Sequence, residues 1–303
     1  MTVGKGLLAF LIAVLVIAAR PAAAEEVRLK HGGLTLNARL VVASEKTLAD
    51  GVIVIVHGTL AHSGSGTIAG LASTLGERGL STLAINLSLG IDDRQGMYDC
   101  GATHRHRHLD ALDEIGAWLD WLRAKGAGPV LLLGHSRGGN QVARFAAERG
   151  HPVLRRLVLL APMTSVPERT AARFKQRNGA SLLPVMQRAA ALVATGKGAT
   201  VMKGVGVLYC PGADVTAASF ASYYPQSDLR LDTPSIVEEI KLPTLVVAGS
   251  DDRLVPDVAR RIKPMADGKP LSLAVVEGAD HFFLDLFAED VADHIEELLG
   301  RAK

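Results

Sequence analysis

The fold is decided by Val130-Leu131-Leu132-Leu133-Gly134-His135-Ser136-Arg137-Gly138-Gly139. This stretch begins as an unbroken apolar run of strand length and ends in Gly-His-Ser-Arg-Gly, which fits the pattern G-x-S-x-G. Residues 140–147 follow with helical composition. A strand, a tight turn that carries serine between glycines, and a helix together form the context that the nucleophile-elbow motif requires.

Such a turn holds Ser136 in a strained backbone conformation, with its hydroxyl exposed above a sheet. Gly134 and Gly138 lack the Cβ that would collide with the turn. G-x-S-x-G alone recurs by chance, and a glycine-rich structural turn is the alternative. The buried-strand run before the motif and the helix after it favour a nucleophilic serine.

The first 24 residues differ from the rest of the chain. Lys5 provides a positive n-region, residues 7–19 form a continuous apolar h-region, and Ala22-Ala23-Ala24 resembles a cleavage site. This pattern is typical of a secretory signal peptide over residues 1–24. The h-region is shorter than the roughly 20 residues of a transmembrane helix, although an uncleaved N-terminal anchor is the alternative. We expect an exported protein, periplasmic or secreted.

Cleavage of the leader would leave 303 − 24 = 279 residues, 25–303. It would remove Lys5 and Arg20 and no acidic residue, so the formal net charge would fall from +2 to 0. A neutral chain has no charge excess to attract nucleic acid or an anionic membrane. We therefore expect a small-molecule substrate and no membrane span after cleavage; the sequence predicts no oligomeric state.

Apolar runs of strand length alternate with segments of helical composition along residues 25–303. The predicted strands are a hairpin within Val27–Val42, then 52–56, 81–86, 130–133, 157–161, 242–249 and 271–276. The predicted helices are 65–78, 109–125, 140–147, 255–265 and 284–299. This alternation predicts an α/β fold with a mostly parallel central sheet of about eight strands, flanked by helices.

The strand–helix rhythm breaks between residues 163 and 234, which we interpret as an inserted lid. The segment 182–193 is amphipathic, and Phe220, Tyr223 and Tyr224 follow later. These residues could line an acyl or aromatic-binding wall. Packing of the lid onto the core is the simpler interpretation, and we favour it. The apolar members of the amphipathic segment are Leu182, Leu183, Val185, Met186, Leu192 and Val193.

A serine nucleophile needs a base to take its proton, and the base needs an acid to orient it. Candidate acids are Asp251 and Asp252, which follow a predicted strand, and the candidate base is His281, which follows the last one. The order Ser, Asp, His along the chain is the order found in α/β-hydrolases. In open sheets of this kind functional groups gather at the carboxyl ends of the strands.

From about Gly51 to the C-terminus the sequence resembles the α/β-hydrolase superfamily, as an exported bacterial member. The matching motifs are His57-Gly58-Thr59, the elbow around Ser136, Gly249-x-x-Asp252-x-x-Val255-Pro256 and Gly278-x-Asp280-His281. The resemblance implies that Asp252 is the acid and His281 the base. Asp251 is then an ordinary loop carboxylate.

The resemblance also implies an oxyanion hole made of two backbone N–H groups. One belongs to Arg137, the residue after the nucleophile, and the other to Thr59. Leu60 is the alternative to Thr59. His135 has no predicted part in proton transfer. This chemistry requires no cofactor and no metal.

Two further groups of residues leave alternatives open. His104, His106 and His108 alternate with arginines, and metal binding by this run is less favoured than a solvated loop or helix start near the site mouth. Cys100 and Cys210 both lie in segments expected above the same end of the sheet. They could form a disulfide that joins lid and core, or remain two buried thiols.

The predicted function is that of a serine hydrolase, an α/β-hydrolase that cleaves a carboxylic ester through a Ser136–His281–Asp252 triad. Thioester, amide or peptide cleavage would use the same residues, as would an acyltransferase. A non-catalytic binding protein with the hydrolase fold is a further alternative. The identity of the substrate is not predicted.

Overall fold

The central feature of the computed structural model is one eight-stranded sheet. The structure describes residues 24–225, 228–266 and 270–301. Its strands are β1 (Glu25–His31), β2 (Leu34–Val41), β3 (Val52–Val56), β4 (Thr82–Asn86), β5 (Val130–His135), β6 (Leu154–Leu160), β7 (Val201–Met202), β8 (Val215–Thr216), β9 (Thr244–Gly249) and β10 (Leu271–Val276).

The strand order in the sheet is β1-β2-β4-β3-β5-β6-β9-β10. β1 and β2 form the predicted hairpin at one edge, and β2 also pairs antiparallel with β4. Every other pairing in the sheet is parallel. β3, β4 and β5 are buried along their whole length, as expected for strands covered on both faces. The predicted mostly parallel α/β sheet of about eight strands is therefore confirmed.

Helices flank this sheet, with α1 packed against α8 and α2 against α3. In α2 the buried residues Leu112, Ile115, Trp118 and Leu122 recur every three or four positions, so they form one apolar stripe. The helices are α1 (Gly66–Glu77), α2 (Asp110–Ala124), α3 (Arg137–Glu148), α4 (Pro167–Asn178), α5 (Leu182–Ala194), α6 (Ala217–Tyr223), α7 (Val258–Ile262) and α8 (Leu286–Leu299).

One predicted helix is shorter in the structure, and most of the predicted leader lies outside the described residues. The helix predicted over residues 255–265 is shorter, because α7 is only Val258–Ile262 and passes into a 3-10 turn that contains Pro264. Of the predicted leader, residues 1–23 lie outside the described residues. Among the helices that the structure describes, none is both long and apolar enough to cross a membrane.

Between β6 and β9 the chain leaves the sheet and forms α4, α5, α6 and the small β7–β8 ladder. This inserted segment has a hydrophobic core of its own, around Phe174, Leu182, Met202, Phe220 and Tyr223. The sequence did not predict α4, because its residues are mostly charged or polar and only Phe174 is buried. A helix without an apolar stripe has no periodic signal to detect.

Cys100 and Cys210 are bonded to each other, with their Cα atoms 5.2 Å apart. Cys100 lies in the connection between β4 and α2, and Cys210 lies in the inserted segment between β7 and β8. Of the two alternatives for this pair, the structure has the disulfide. It joins the inserted segment covalently to a loop that emerges from the sheet.

Candidate active site

Ser136 stands at the turn between β5 and α3, in a left-handed backbone conformation with φ of 56°. A Cβ on Gly134 would collide with the carbonyl of Gly138, and a Cβ on Gly138 would collide with the carbonyl of His57. The turn therefore needs glycine at both flanking positions. A strained serine between obligatory glycines is the local geometry that the elbow motif predicts.

The structure brings Ser136, His281 and Asp252 together, although they are far apart along the chain. His281 Nε2 lies 2.9 Å from Ser136 Oγ, and His281 Nδ1 lies 2.7 Å from Asp252 Oδ2. A carboxylate only accepts hydrogen bonds, so Nδ1 carries the proton and Nε2 is left to accept from the serine hydroxyl. All three side chains are buried, at the carboxyl ends of β5, β9 and β10.

Asp252 is held as an anion by its surroundings. Its Oδ1 accepts from the backbone N–H groups of Leu254 at 2.7 Å and Val255 at 2.9 Å. Burial alone would raise the pKa of Asp252, but these bonds and the bond from His281 lower it below its ordinary value. Asp251 is exposed and its carboxylate has no such partner among the described residues. The geometry thus brings Asp252, and not Asp251, to His281.

His135 supports the backbone of His281, a contact that the sequence did not predict. Its Nε2–H donates to the carbonyl of His281 at 2.8 Å, and the two rings lie 4.9 Å apart. Burial, together with the proximity of His281, lowers the pKa of His135 to about 4, so its ring stays neutral near pH 7. The only sequence signal was its place in G-x-S-x-G.

Two backbone N–H groups lie where an oxyanion hole would need them. Arg137 is the first residue of α3, so its N–H has no partner within the helix. The N–H of Thr59 donates to none of the described residues. Thr59 lines both cavities that reach Ser136, whereas Leu60 lines neither. This arrangement favours Thr59 over Leu60 as the second donor.

The buried ring of His57 orients the peptide between Gly58 and Thr59 through its hydrogen bonds. His57 Nδ1–H donates to the Gly58 carbonyl at 2.8 Å, while His57 Nε2 accepts from Leu87 N–H and from Arg94 Nη2, each at 3.1 Å. In a trans peptide the C=O and the next N–H point in opposite directions. Fixing the Gly58 carbonyl on His57 therefore directs the Thr59 N–H away from His57. Burial, together with Arg94, lowers the pKa of His57 to about 3, which keeps this tautomer neutral.

Two cavities meet at Ser136, and both are also lined by Thr59 and His281. The smaller measures about 110 Å³, and we call it the arginine pocket. Its distinguishing residues come from α3 and from the inserted segment. They are Arg137, Thr170, Arg173, Phe174, Arg177 and Tyr224.

The larger cavity measures about 420 Å³, and we call it the apolar pocket. It carries no aspartate, glutamate, lysine or arginine in its lining. Its distinguishing residues are Ala61, Met97, Phe282 and Leu284. A further cavity, of about 330 Å³, lies at the amino ends of β3 and β5, at the opposite edge of the sheet.

The inserted segment supplies other lining residues than the sequence suggested. Phe220 and Tyr223 are buried in the core of the segment, and Leu183 is exposed. Of the residues proposed for an acyl-binding wall, Tyr224 lines the arginine pocket, and neither pocket is lined by the others. The favoured interpretation is that these residues pack the lid onto the core. Most of them do pack, but in the hydrophobic cluster of the inserted segment, which also includes Leu60 and Tyr98. The wall of the pocket comes from α4 instead.

The prediction of a solvated loop or helix start for His104, His106 and His108 is wrong about their exposure, although the run does end just before α2. All three rings are buried, while Arg105 and Arg107 are exposed, because the segment is extended and its side chains alternate. His106 Nδ1 bonds to the Tyr223 hydroxyl at 2.7 Å, and His108 Nε2 bonds to Asn140 at 2.9 Å. No three histidines, cysteines or acids in the described ranges are grouped to hold a metal ion.

The family of this protein follows from a comparison that agrees with this geometry. A profile described as "Alpha/beta hydrolase family" matches residues 53–294, which is most of the chain. The protein therefore belongs to the alpha/beta hydrolase family. No curated protein sequence matches it significantly.

Solved structures share the fold at low sequence identity. Est1E from Butyrivibrio proteoclasticus is 19% identical over 91% of this chain and 99% of that one, with a TM-score of 0.62. The monoacylglycerol lipase of Paleococcus ferrophilus is 19% identical over 88% and 99%, with a TM-score of 0.58. The Pyrococcus furiosus esterase Pf2001 is 15% identical over 93% and 92%, with a TM-score of 0.58. At these identities the likeness concerns the fold.

Proposed function

We propose that this protein is a serine hydrolase that cleaves carboxylic esters by way of an acyl-enzyme on Ser136. The observation that carries the proposal is the pair of hydrogen bonds at His281, 2.9 Å to Ser136 Oγ and 2.7 Å to Asp252 Oδ2. A hydroxyl bonded to a neutral imidazole, itself oriented by a carboxylate, is the arrangement that activates serine at neutral pH.

In the proposed first step His281 Nε2 takes the hydroxyl proton while Ser136 Oγ attacks the ester carbonyl carbon. The carbonyl oxygen becomes an oxyanion, which the backbone N–H groups of Thr59 and Arg137 stabilise. The intermediate then collapses, and the alcohol leaves with the proton from His281. Asp252 stabilises the imidazolium between these events without taking its proton.

In the second step water replaces the alcohol. His281 takes a proton from the water molecule, which attacks the carbonyl carbon of the acyl-enzyme. The second intermediate expels Ser136 Oγ, which recovers its proton from His281, and the carboxylic acid is released. The buried position of the three side chains favours these charge movements, because electrostatic interactions are stronger where water is excluded.

The comparisons support an ester as the substrate. Among the structural neighbours are proteins named as an esterase and as a monoacylglycerol lipase. We also propose that the protein is exported, to the periplasm or beyond, because residues 1–24 read as a signal peptide and Cys100 is bonded to Cys210. The inserted segment between residues 163 and 234 would act as the lid that selects substrates.

A fluorophosphonate probe tests the proposal directly, because it forms a covalent bond with an activated serine. We expect mass spectrometry of the labelled protein to find the adduct on Ser136, and we expect Ser136→Ala to lose both the adduct and ester hydrolysis. The substrates are p-nitrophenyl esters of increasing chain length. Absence of labelling in folded wild-type protein would contradict the proposal and favour a binding protein.

A further inference from the structure

Three guanidinium groups face the arginine pocket without a counter-charge. Arg137, Arg173 and Arg177 line this cavity together with Ser136 and His281, and its lining contains no aspartate or glutamate. In the part of the chain that the structure describes, none of the three forms an ion pair with a carboxylate. Arg137 and Arg173 are partly buried, and a positive charge that loses water beside a reaction centre costs free energy unless an anion offsets it, whereas Arg177 is exposed.

Among the described residues, Arg169 on the same helix has a carboxylate partner, whereas the two arginines that line the pocket have none. Arg169, Arg173 and Arg177 are spaced four residues apart on α4, so they share one face of that helix. Arg169 lies 2.8 Å from Asp257, a buried carboxylate. Arg173 and Arg177 have no such partner, although like charges at this spacing destabilise a helix. The two arginines that reach the pocket are therefore the ones left without an anion.

The unpaired arginines are held in place by weaker contacts that leave donors free. Arg173 Nη2 donates to the carbonyls of Arg253 and Leu254, at 3.2 and 3.0 Å. Arg177 Nη1 donates to the carbonyl of Leu208 at 3.1 Å, and its guanidinium lies 4.8 Å from the ring centre of Tyr209. Each guanidinium carries five N–H donors, so each retains several for a ligand.

The electrostatics of Arg173 agree with an unmet need for an anion. Its pKa is lowered, first by burial and then by the neighbouring Arg169 and Arg177, and the opposing effects of Tyr209 and of the more distant Asp252 carboxylate do not offset this. Those two neighbours act against the charge that the pocket holds. A bound anion would restore the balance, and Arg would contact it through a planar fork of donors.

We propose that the natural substrate is an ester that carries a carboxylate, bound by Arg173 and Arg177 in the arginine pocket. The inference rests on the proposed esterase function, because Ser136 lies between this pocket and the apolar pocket. The apolar half of the ester would then occupy the larger cavity, beside Met97 and Leu284. Paired guanidinium groups match a carboxylate, because each can bind its two oxygens through a planar fork of donors.

Matched pairs of esters test the proposal. In the first pair the charge is on the acyl side, as monoethyl glutarate against ethyl valerate. In the second it is on the alcohol side, as 4-carboxyphenyl acetate against 4-methylphenyl acetate. Acid release measured by titration gives kcat/KM for each ester. We expect at least one anionic ester to exceed its neutral partner by about tenfold or more, chiefly through KM, because charge-assisted hydrogen bonds are the strong ones.

Variants of Arg177 then assign the preference to the pocket. We expect Arg177→Gln to bring the anionic-to-neutral ratio of kcat/KM down to about one tenth of its wild-type value, and Arg177→Lys to restore part of it. Arg188→Gln is the control, because Arg188 is exposed on α5 and outside both pockets. Thermal unfolding of each variant checks that it is folded.

The possible failures are distinguishable. If the wild type hydrolyses neither neutral nor anionic esters, the proposed function itself is contradicted. If it hydrolyses neutral esters and shows no preference in either pair, only the carboxylate inference is overturned. The same holds if the preference survives in folded Arg177→Gln and in folded Arg173→Gln.

Discussion

The two halves of the candidate site are built in different ways. Ser136, Asp252 and His281 follow β5, β9 and β10, strands of one sheet whose carboxyl ends meet at the same edge. Arg173 and Arg177 instead project from α4, in a segment with a separate hydrophobic core. The reacting groups are thus positioned by the sheet, and the groups that would recognise the substrate are positioned by an insertion. Changes in the first half should abolish catalysis, and changes in the second should redirect it.

The largest expected effect comes from His281→Ala, in the half built by the sheet. Without the imidazole, no base takes the proton from Ser136, and we expect kcat to fall by about 10⁴-fold or more. The measurement is steady-state hydrolysis of p-nitrophenyl butyrate, with circular dichroism to show that the fold is kept.

A matched control belongs to the other half of the site. Arg173→Gln should retain far more of the kcat than His281→Ala, because Arg173 touches the proposed substrate and not the transferred proton. A loss of less than about 100-fold in folded His281→Ala would show that another residue acts as the base. In that case the division of labour between the two halves would not hold.

The second prediction concerns acid stability, where five buried histidines act together. The ordinary pKa of histidine is 6.5, and burial is the main cause that lowers it in each of the five. The pKa falls to about 3 in His57 and His106, to about 4 in His104 and His135, and well below 6.5 in His108. Below pH 6.5 the unfolded chain binds protons that the native protein does not, so stability falls as the pH drops. Each histidine contributes up to about 1.4 kcal/mol per pH unit. The five are His57, His104, His106, His108 and His135.

Urea unfolding at pH 7.5, 6.5 and 5.0 measures this effect. We expect the free energy of unfolding to fall by about 3 kcal/mol or more between pH 6.5 and 5.0. Glu114 opposes the trend with one proton, because burial raises its pKa to about 7 and the native state binds that proton first. A stability that stays flat over this range would contradict the prediction.

The variant His104→Leu measures, in the same experiment, how much of the pH dependence comes from the contact between the inserted segment and the sheet domain. His104 lies where the inserted segment meets the loop after β4, and neither of its ring nitrogens has a hydrogen-bond partner in the described structure. Replacing it should make the pH dependence shallower by up to one proton.

The sheet half of the site could be predicted from the sequence for a physical reason. Strands that are buried on both faces have continuous apolar sequences, such as 52–56 and 130–133. The polar residues that follow these strands lie together at the carboxyl ends of the sheet. The spacing of Gly249, Asp252 and Val255 also selected the aspartate that lies beside His281. Both signals are local, so a sequence shows them.

The other half could not be predicted, because its contacts join residues that carry no local pattern. The arginines of α4 look like solvent-exposed charges in the sequence, and the histidines at 104–108 look like a polar loop. The contacts of both groups depend on where the inserted segment packs, which is a property of tertiary structure. The sequence could not decide between a disulfide and two free thiols for the same reason, since the distance between Cys100 and Cys210 depends on that packing.

The third prediction tests how firmly the inserted half is attached. The Cys100–Cys210 bond closes a loop with a sequence separation of 110 residues. Its removal in Cys100→Ser/Cys210→Ser should lower the free energy of unfolding by about 2–4 kcal/mol, because the unfolded chain gains conformational freedom. Thermal unfolding of the purified double variant, compared with wild type in the absence of reductant, provides the measurement.

The same variant indicates which half depends on the bond. Fluorophosphonate labelling of Ser136 at a temperature below the unfolding transition should persist, since the three reacting groups are held by the sheet. The preference for anionic esters should weaken, since Arg177 bonds to the carbonyl of Leu208, two residues before Cys210. Loss of labelling in the folded double variant would show that the reacting groups also depend on the bond. An unchanged preference for anionic esters in a variant that is still labelled would show that the arginine pocket does not depend on it.

The smallest expected effect comes from Thr59→Val, in the half built by the sheet. The Thr59 hydroxyl accepts from Arg137 Nε at 3.0 Å, whereas the proposed oxyanion donor is the backbone N–H, which valine retains. Loss of one hydrogen bond of this kind should lower kcat/KM by about two- to fivefold. The matched variant Thr170→Val, in the inserted half, should change only KM. A loss of 100-fold or more in Thr59→Val would mean that the hydroxyl acts on the reacting centre directly. The Thr59 side chain would then take part in catalysis and not only hold Arg137.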